Sequence, residues 1–316
     1  MIRLDHVSKT FPGSSKPAVG DLSLEVPEGE IAVFIGPSGC GKSTTLRMIN
    51  RLIEPTSGTI TVGGRDVMEL KPHDLRLGIG YVIQQVGLFP HMTVAENISV
   101  TPRLLGWEKD HIRARVDDLL ELVHLTPAEY RDRRPRQLSG GQQQRVGLAR
   151  ALAADPEVLL MDEPFGALDA ITRASMQEEL LHVHRRFRKT TIFVTHDVDE
   201  ALRLADLMVV MHEGRMVQAG SPRELLMNPA GDFVRALLGT DDRIRALGLI
   251  TAGEMMVAGD LQGRQGSSRA VSTETSLRDA LSMLLEPGVD VLIVERGGQP
   301  VGYVGWEQIR GAGHGG

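Results

Sequence analysis

Residues 36–43 read Gly36-Pro37-Ser38-Gly39-Cys40-Gly41-Lys42-Ser43, which fits G-x-x-x-x-G-K-[ST]. The chemistry of that pattern is phosphate binding. Glycines let a backbone wrap an anion with its N–H groups turned inward, and a helix starting at the loop's end adds its positive pole. Lys42 is spaced to reach the β and γ phosphates of a nucleoside triphosphate, and the Ser43 hydroxyl, followed by Thr44, to hold Mg²⁺. A second pattern lies further on, where the apolar run Val158-Leu159-Leu160-Met161 ends in Asp162 and Glu163. A buried strand would deliver both carboxylates to its C-terminal end, where α/β sheets bind ligands. Asp162 then suits Mg²⁺ held through water, and Glu163 suits a general base that polarises the attacking water. Taken singly, the patterns have bland readings, a flexible glycine-rich turn and a strand end capped by solvated acids. Together, each in the context it needs, they favour the chemistry. Cys40 leaves two readings open, a small filler in a permissive loop or a thiol at a helix N-terminus that maleimide would modify and ATP would protect.

These residues need elements to hold them. Ile31 to Ile35 is continuously apolar, as a strand buried on both faces would be, and it runs into the glycine-rich loop. Leu46, Ile49 and Ile53 recur at helical spacing after it, until Pro55 and Gly58 stop the helix. Val19 to Val26 alternates and ends at Pro27-Glu28-Gly29, which predicts a strand of an antiparallel edge sheet. Gly63-Gly64 marks a turn, and Ile79 to Ile83 reads as a strand. Residues 109 to 124 read as a helix with Ile112, Val116, Leu119, Leu120 and Val123 on one side. A second helix runs to about Ala153, a third covers about 171 to 187, and Thr191 to Thr195 is a further buried strand. Buried strands alternating with helices predict an α/β domain with a largely parallel sheet.

After Leu238 the chain turns polar and glycine-rich, notably from Gly259 to Ser268. A strand-helix-strand-strand pattern comes next, at Ala270-Val271, Leu277 to Leu285, Val289 to Val294 and Val301 to Val304. We place a domain boundary near 238, a small second domain over about 250 to 311, and disorder in the tail Gly311 to Gly316. With 35 basic and 41 acidic residues the formal charge is -6, which argues against nucleic-acid binding along the whole chain. Cys40 is the one cysteine, so no intrachain disulfide forms, and this fits a reducing compartment. The opening Met1 to His6 lacks the pattern of a secretory signal, and no run reaches the roughly 18 apolar residues of a membrane span. A role at a membrane would need another chain to do the spanning.

Leu138-Ser139-Gly140-Gly141-Gln142 makes the family resemblance specific. Ser139 and two glycines opening a helix form a second phosphate-binding helix terminus, and one chain has no use for two γ-phosphate cradles. The segment resembles the signature sequence of the ABC ATPases, and the resemblance spans about residues 2 to 238 with every nucleotide motif in order. It implies a mainly parallel core sheet, an antiparallel β subdomain and a helical subdomain over about 87–150. It also implies two copies packed head to tail, with Ser139, Gly140, Gly141 and Gln142 of one closing over ATP held by the other. Phe11 resembles the aromatic that stacks on adenine, where the family more often has Tyr. Gln84 resembles the Q-loop glutamine that contacts Mg²⁺ and the attacking water, with the adjacent Gln85 as the alternative. Asp169 in Ala167-Leu168-Asp169 resembles the D-loop, and His196 the switch histidine at the γ-phosphate.

Residues 44–52, 87–98, 142–147 and 162–169 are similar to importers of osmoprotectant quaternary amines such as glycine betaine, choline and proline betaine. Amino-acid importers are near neighbours, and a soluble ABC ATPase acting on nucleic acid or ribosomes is a remoter alternative. The resemblance implies ATP and Mg²⁺ as cofactors and a peripheral place on the cytoplasmic face of the cell (inner) membrane. Its implied partners are an integral membrane permease and a separate substrate-binding protein, and no nucleic acid. The second domain resembles a CBS motif, present once where the family usually carries two, with either a regulatory or a dimer-packing role.

Overall fold

A computed structural model describes residues 1–84, 87–239, 245, 247–259 and 267–312. Two compact units divide between Ser221 and Pro222. In the first, β1 (Ile2–Lys9), β2 (Val19–Val26), β4 (Ser57–Val62) and β5 (Arg65–Asp66) form an antiparallel sheet in the order β2-β1-β4-β5. Alternation along β2 buries Val19, Leu22, Leu24 and Val26, as its pattern predicted. Gly63 and Gly64, both with left-handed backbone, make the expected turn between β4 and β5.

The second sheet carries the chemistry. Its strands are β3 (Ile31–Ile35), β6 (Ile79–Val82), β7 (Val158–Asp162), β8 (Thr190–Val194), β9 (Leu207–His212) and β10 (Arg215–Gly220), in the order β10-β9-β3-β8-β7-β6. All neighbours run parallel except the β9–β10 hairpin. Every residue of β3, β7 and β8 is buried, which is why these strands read as unbroken apolar runs. Parallel strands pointing one way put the ends of β3, β7 and β8 on one edge of the sheet, and all three candidate loops leave from there.

The helix after β3, Lys42–Ile49, is shorter than its periodicity predicted. Arg51 takes a left-handed backbone, with φ 45°, and its guanidinium donates to the carbonyls of Val67, Met68 and Leu70. Ile53 still packs on the core from outside the helix. Helix Lys109–Leu122 buries Ile112, Val116, Leu119 and Leu120 as expected. Helices Gly140–Leu152 and Ala170–Phe187 fall where the sequence placed them.

The second unit starts earlier than the change of composition near 238, because the helices before that point bond to residues beyond it. Arg223 of Pro222–Met227 pairs with Glu254 at 3.0 Å, and Arg245 donates to the Leu238 carbonyl at 2.8 Å. Its sheet has β11 (Val257–Ala258), β12 (Ser267–Ser272), β13 (Val289–Arg296) and β14 (Gln299–Gly305) in the order β11-β14-β13-β12. Helix Leu277–Leu284 buries Leu277, Ala280 and Leu284 in a core with Val271, Leu292, Val294 and Val304. The expected strand-helix-strand-strand order is present. Gly311 and Ala312, at the start of the expected disordered tail, belong to helix Trp306–Ala312. Residues 313–316, Gln85 and most of the Gly259–Ser268 stretch lie outside the described residues. Among the described residues no helix is long and apolar enough to cross a membrane.

Candidate active site

The loop leaving β3 is shaped by glycines at positions no other residue fits. Gly36 has φ 149°, and a Cβ there would run into the Met211 carbonyl oxygen; Gly41 has φ 108°, and its Cβ would lie 2.6 Å from the Ala18 oxygen. Gly39 also takes a left-handed backbone, with φ 78°, which turns the chain into helix Lys42–Ile49. Lys42 is buried, and its ammonium donates to the carbonyls of Gly36 at 2.6 Å and Pro37 at 3.1 Å. The cation therefore stands at the mouth of the loop. The Cys40 thiol is buried and lies 3.7 Å from Lys42 Nζ. Thr44 is half-buried on the helix's first turn.

An acid at the end of β7 meets this loop. The Ser43 hydroxyl donates to Asp162 Oδ1 at 2.7 Å, so two of the three groups expected at Mg²⁺ are side by side, while the third, Gln84, bonds to Glu163. Burial first, and then the Asp162 charge, pushes the phenol of Tyr81 on neighbouring β6 upward. Glu163 leaves the strand with a left-handed backbone, φ 46°, while its N–H still bonds to the Val194 carbonyl of β8 at 2.9 Å. That twist sends its carboxylate to the sheet edge, where Gln84 Nε2 donates to Oε2 at 3.2 Å and His196 Nδ1 lies 3.2 Å from the same oxygen. Two residues from the ends of two neighbouring strands thus converge on the carboxylate of a third.

Ser139 caps helix Gly140–Leu152 in a capping box. Its Oγ accepts the Gln142 N–H at 3.3 Å, and Gln142 Oε1 accepts the Ser139 N–H at 2.9 Å. The first helical N–H groups, from Gly140 and Gly141, begin the positive pole. Gly141 packs closely, since a Cβ there would sit 2.5 Å from Thr172 Cγ2 and push that side chain aside. Asp169 caps the helix that carries Thr172, accepting from the Ile171 and Thr172 N–H groups at 3.1 Å. The Thr172 hydroxyl, donating at 2.7 Å, and then its N–H hold the Asp169 carboxyl below the usual carboxylate range. Among the described residues no hydrogen bond links Ser139, Gly140, Gly141, Gln142 or Asp169 to the phosphate loop. Phe11 is exposed at the end of β1 with Lys9 Nζ 5.3 Å from its ring centre, and the segment after it reaches Gly41 through Ala18 and Val19.

Residues 19–166 match the family described as ABC transporter. Glycine betaine/carnitine/choline transport ATP-binding protein OpuCA of Bacillus subtilis (strain 168) is 49% identical over 310 residues, 98% of this chain and 79% of that protein. The chain belongs to the ABC transporter ATP-binding proteins. Glycine betaine uptake system ATP-binding protein YehX of Escherichia coli (strain K12) is 48% identical to this ABC ATPase over 311 residues, 98% of the chain and 99% of the relative. The dimeric structure of MJ0796, a bacterial ABC transporter cassette, covers 70% of this ABC ATPase and 99% of its own chain at 33% identity and a TM-score of 0.64. A post-hydrolysis dimer of MJ0796 bound to ADP and Pi is similar at 32% identity and a TM-score of 0.64.

Sequence reasoning missed the groups that support the site of this ABC ATPase from behind. Gly214, in the β9–β10 hairpin, donates to the Cys40 carbonyl at 3.1 Å, and Met211 of β9 backs Gly36. The Tyr130 hydroxyl accepts from Gln142 Nε2 at 3.0 Å and braces the signature turn. The one visible signal was the Leu207 to Met211 run, apolar enough to read as a buried strand.

Proposed function

We propose that this ABC ATPase hydrolyses ATP to drive an importer of osmoprotectant quaternary amines, on the cytoplasmic face of the membrane. The carrying observation is the meeting of Gln84 and His196 on Glu163 beside the Ser43–Asp162 pair. The cargo class follows relatives named for glycine betaine, carnitine and choline transport. Two copies pack head to tail, each site using Lys42, Ser43, Gln84, Asp162, Glu163 and His196 of one copy and Ser139, Gly140 and Gly141 of the other. The signature turn has no bond to its own phosphate loop among the described residues, and the similar cassette is dimeric.

The Ser43 hydroxyl and Asp162 carboxylate are hard oxygen donors of the kind Mg²⁺ takes alongside phosphate oxygens. They would hold Mg²⁺, which neutralises charge on the β and γ phosphates. Lys42 adds a second positive charge there, and the loop N–H groups bind the phosphate oxygens. Glu163 accepts the proton of the attacking water, Gln84 orients that water, and His196 faces the γ-phosphate. Phe11 stacks on adenine, and Asp169 sits where the two copies meet. A permease docks near the Gln84 segment, and a substrate-binding protein delivers the solute. The CBS-like second unit either regulates transport or stabilises the dimer; deleting residues 250–316 while following osmotic activation separates the two.

Uptake of radiolabelled glycine betaine and choline, with and without this subunit, tests the proposal. Uptake that depends on the subunit and fails with Glu163→Gln is expected. Uptake indifferent to both, or copurification with RNA instead of a permease, would overturn it.

A further inference from the structure

Behind the loop that carries His196 lies a charged side chain with no assigned role, bonded to Asp197, the residue after it. Arg173 is four residues beyond Asp169 on helix Ala170–Phe187, and its guanidinium reaches three groups. Nη2 donates to the Leu168 carbonyl at 3.2 Å, and Nη1 to Asp197 Oδ2 at 3.3 Å. Nε, buried, faces Glu200 Oε1 at 3.8 Å.

The two residues flanking His196 belong to the same network. Asp197 Oδ1 caps helix Val198–Leu204 through the Asp199 and Glu200 N–H groups. On the other flank, the Thr195 hydroxyl donates to Glu200 Oε2 at 2.6 Å and accepts the Asp197 N–H at 3.0 Å. Glu200 is only 5% exposed and also accepts from Gln177 Nε2 at 3.2 Å. The imidazole itself is 62% exposed, so packing does little to aim it. Its direction depends on a backbone anchored on both sides to this network, and Arg173 joins that anchor to the turn before Asp169.

We propose that Arg173 is a positioning residue for hydrolysis. It aims His196 at Glu163 by bracing Asp197, with its other arm anchored on the Leu168 carbonyl. The guanidinium presents donors on separate nitrogens in fixed directions, so it spans a carbonyl and a carboxylate that lie apart, whereas the donors of an ammonium all spread from one atom. Arg173 touches neither the phosphate loop nor Asp162 in any described hydrogen bond, so nucleotide binding does not need it. The proposal rests on the ATPase reading above.

The test is steady-state phosphate release by the purified full chain, with ATP affinity and thermal midpoint measured alongside. Arg173→Gln is expected to lower kcat by about tenfold to a hundredfold while KM and ATP affinity stay within about twofold, with little recovery in Arg173→Lys. Combining Arg173→Gln with His196→Ala should hydrolyse no more slowly than His196→Ala alone, because one acts through the other. Asp197→Asn should reproduce the kcat-selective loss, and it decides the matter if Arg173→Gln does not fold. Additive losses in the double variant, or a matching rise in KM, would overturn the role of Arg173 and leave the ATPase reading standing. A wild-type chain releasing no phosphate, even with its permease, would sink both.

Discussion

The Ser43 hydroxyl donates to Asp162 Oδ1 at 2.7 Å across a separation of 119 residues. A hydroxyl bonded to a carboxylate is worth about 1.5–3 kcal/mol when the charge is real, or roughly tenfold to a hundredfold in affinity. Ser43→Ala should therefore weaken ATP binding by about that factor in the presence of Mg²⁺ and change it little in EDTA. Titration of a fluorescent ATP analogue under both conditions checks this. Equal losses in both would mean that Ser43 serves the loop rather than the metal.

Glu163 is the only carboxylate that both Gln84 and His196 meet among the described bonds. Replacing it with glutamine keeps the shape and removes the base. Hydrolysis should fall by about a hundredfold to ten-thousandfold, with ATP still bound. Size-exclusion chromatography with ATP should then show a dimer that the wild-type chain, turning over, does not accumulate. Near-normal phosphate release would remove Glu163 from its role.

Gly36 and Gly39 separate space from backbone strain. Alanine at Gly36 meets the Met211 carbonyl at φ 149°, whereas at Gly39, φ 78°, nothing lies within 4 Å. Gly36→Ala should abolish nucleotide binding and destabilise by on the order of 1–3 kcal/mol or more, because a strand carbonyl cannot move aside. Gly39→Ala should keep the fold and lose part of the affinity. Thermal unfolding and nucleotide titration of the pair measure the difference.

In the second unit, Glu254 Oε2 accepts the Thr251 N–H at 2.8 Å, and that bond is the main cause holding its carboxyl below the usual range, with Arg223 adding to it. A depressed carboxyl contributes stability above its unfolded value, near about 4.3, and loses it as pH falls through the folded value. Hydrogen exchange of residues 251–256 in the full chain should therefore be faster in Glu254→Gln than in wild type at pH 7. The two should converge as the medium is acidified below pH 4. A difference that persists in acid would deny the carboxylate this role.

The parts legible beforehand were those where local sequence and environment agree. β3, β7 and β8 are buried on both faces and read as apolar runs. Helix Lys109–Leu122 carries its stripe at regular spacing. The phosphate loop was legible because only glycine tolerates its backbone. What escaped was set by distant contacts. Arg51 ends its helix early by reaching carbonyls of residues 67–70, an arrangement no local period encodes. The short Val257–Ala258 strand exists only because β14 pairs with it. Glu163 turning left-handed is a tertiary effect, since a glutamate alone prefers otherwise. The Arg173 network went unseen because its members are polar residues scattered over two helices and a loop. What joins them is tertiary proximity, which sequence spacing does not report.

The lining of the phosphate loop arrives late in the chain. β3 is clasped between β8 and β9, and the hairpin around Gly214 closes on the Cys40 carbonyl. During translation, the glycine-rich segment leaves the exit tunnel long before the strands that give it its shape. A nascent chain ending ahead of Leu207 would carry the complete motif and still lack a rigid cradle. Nucleotide capture should begin only once that hairpin has emerged, which ties the onset of ligand binding to near-completion of the first unit.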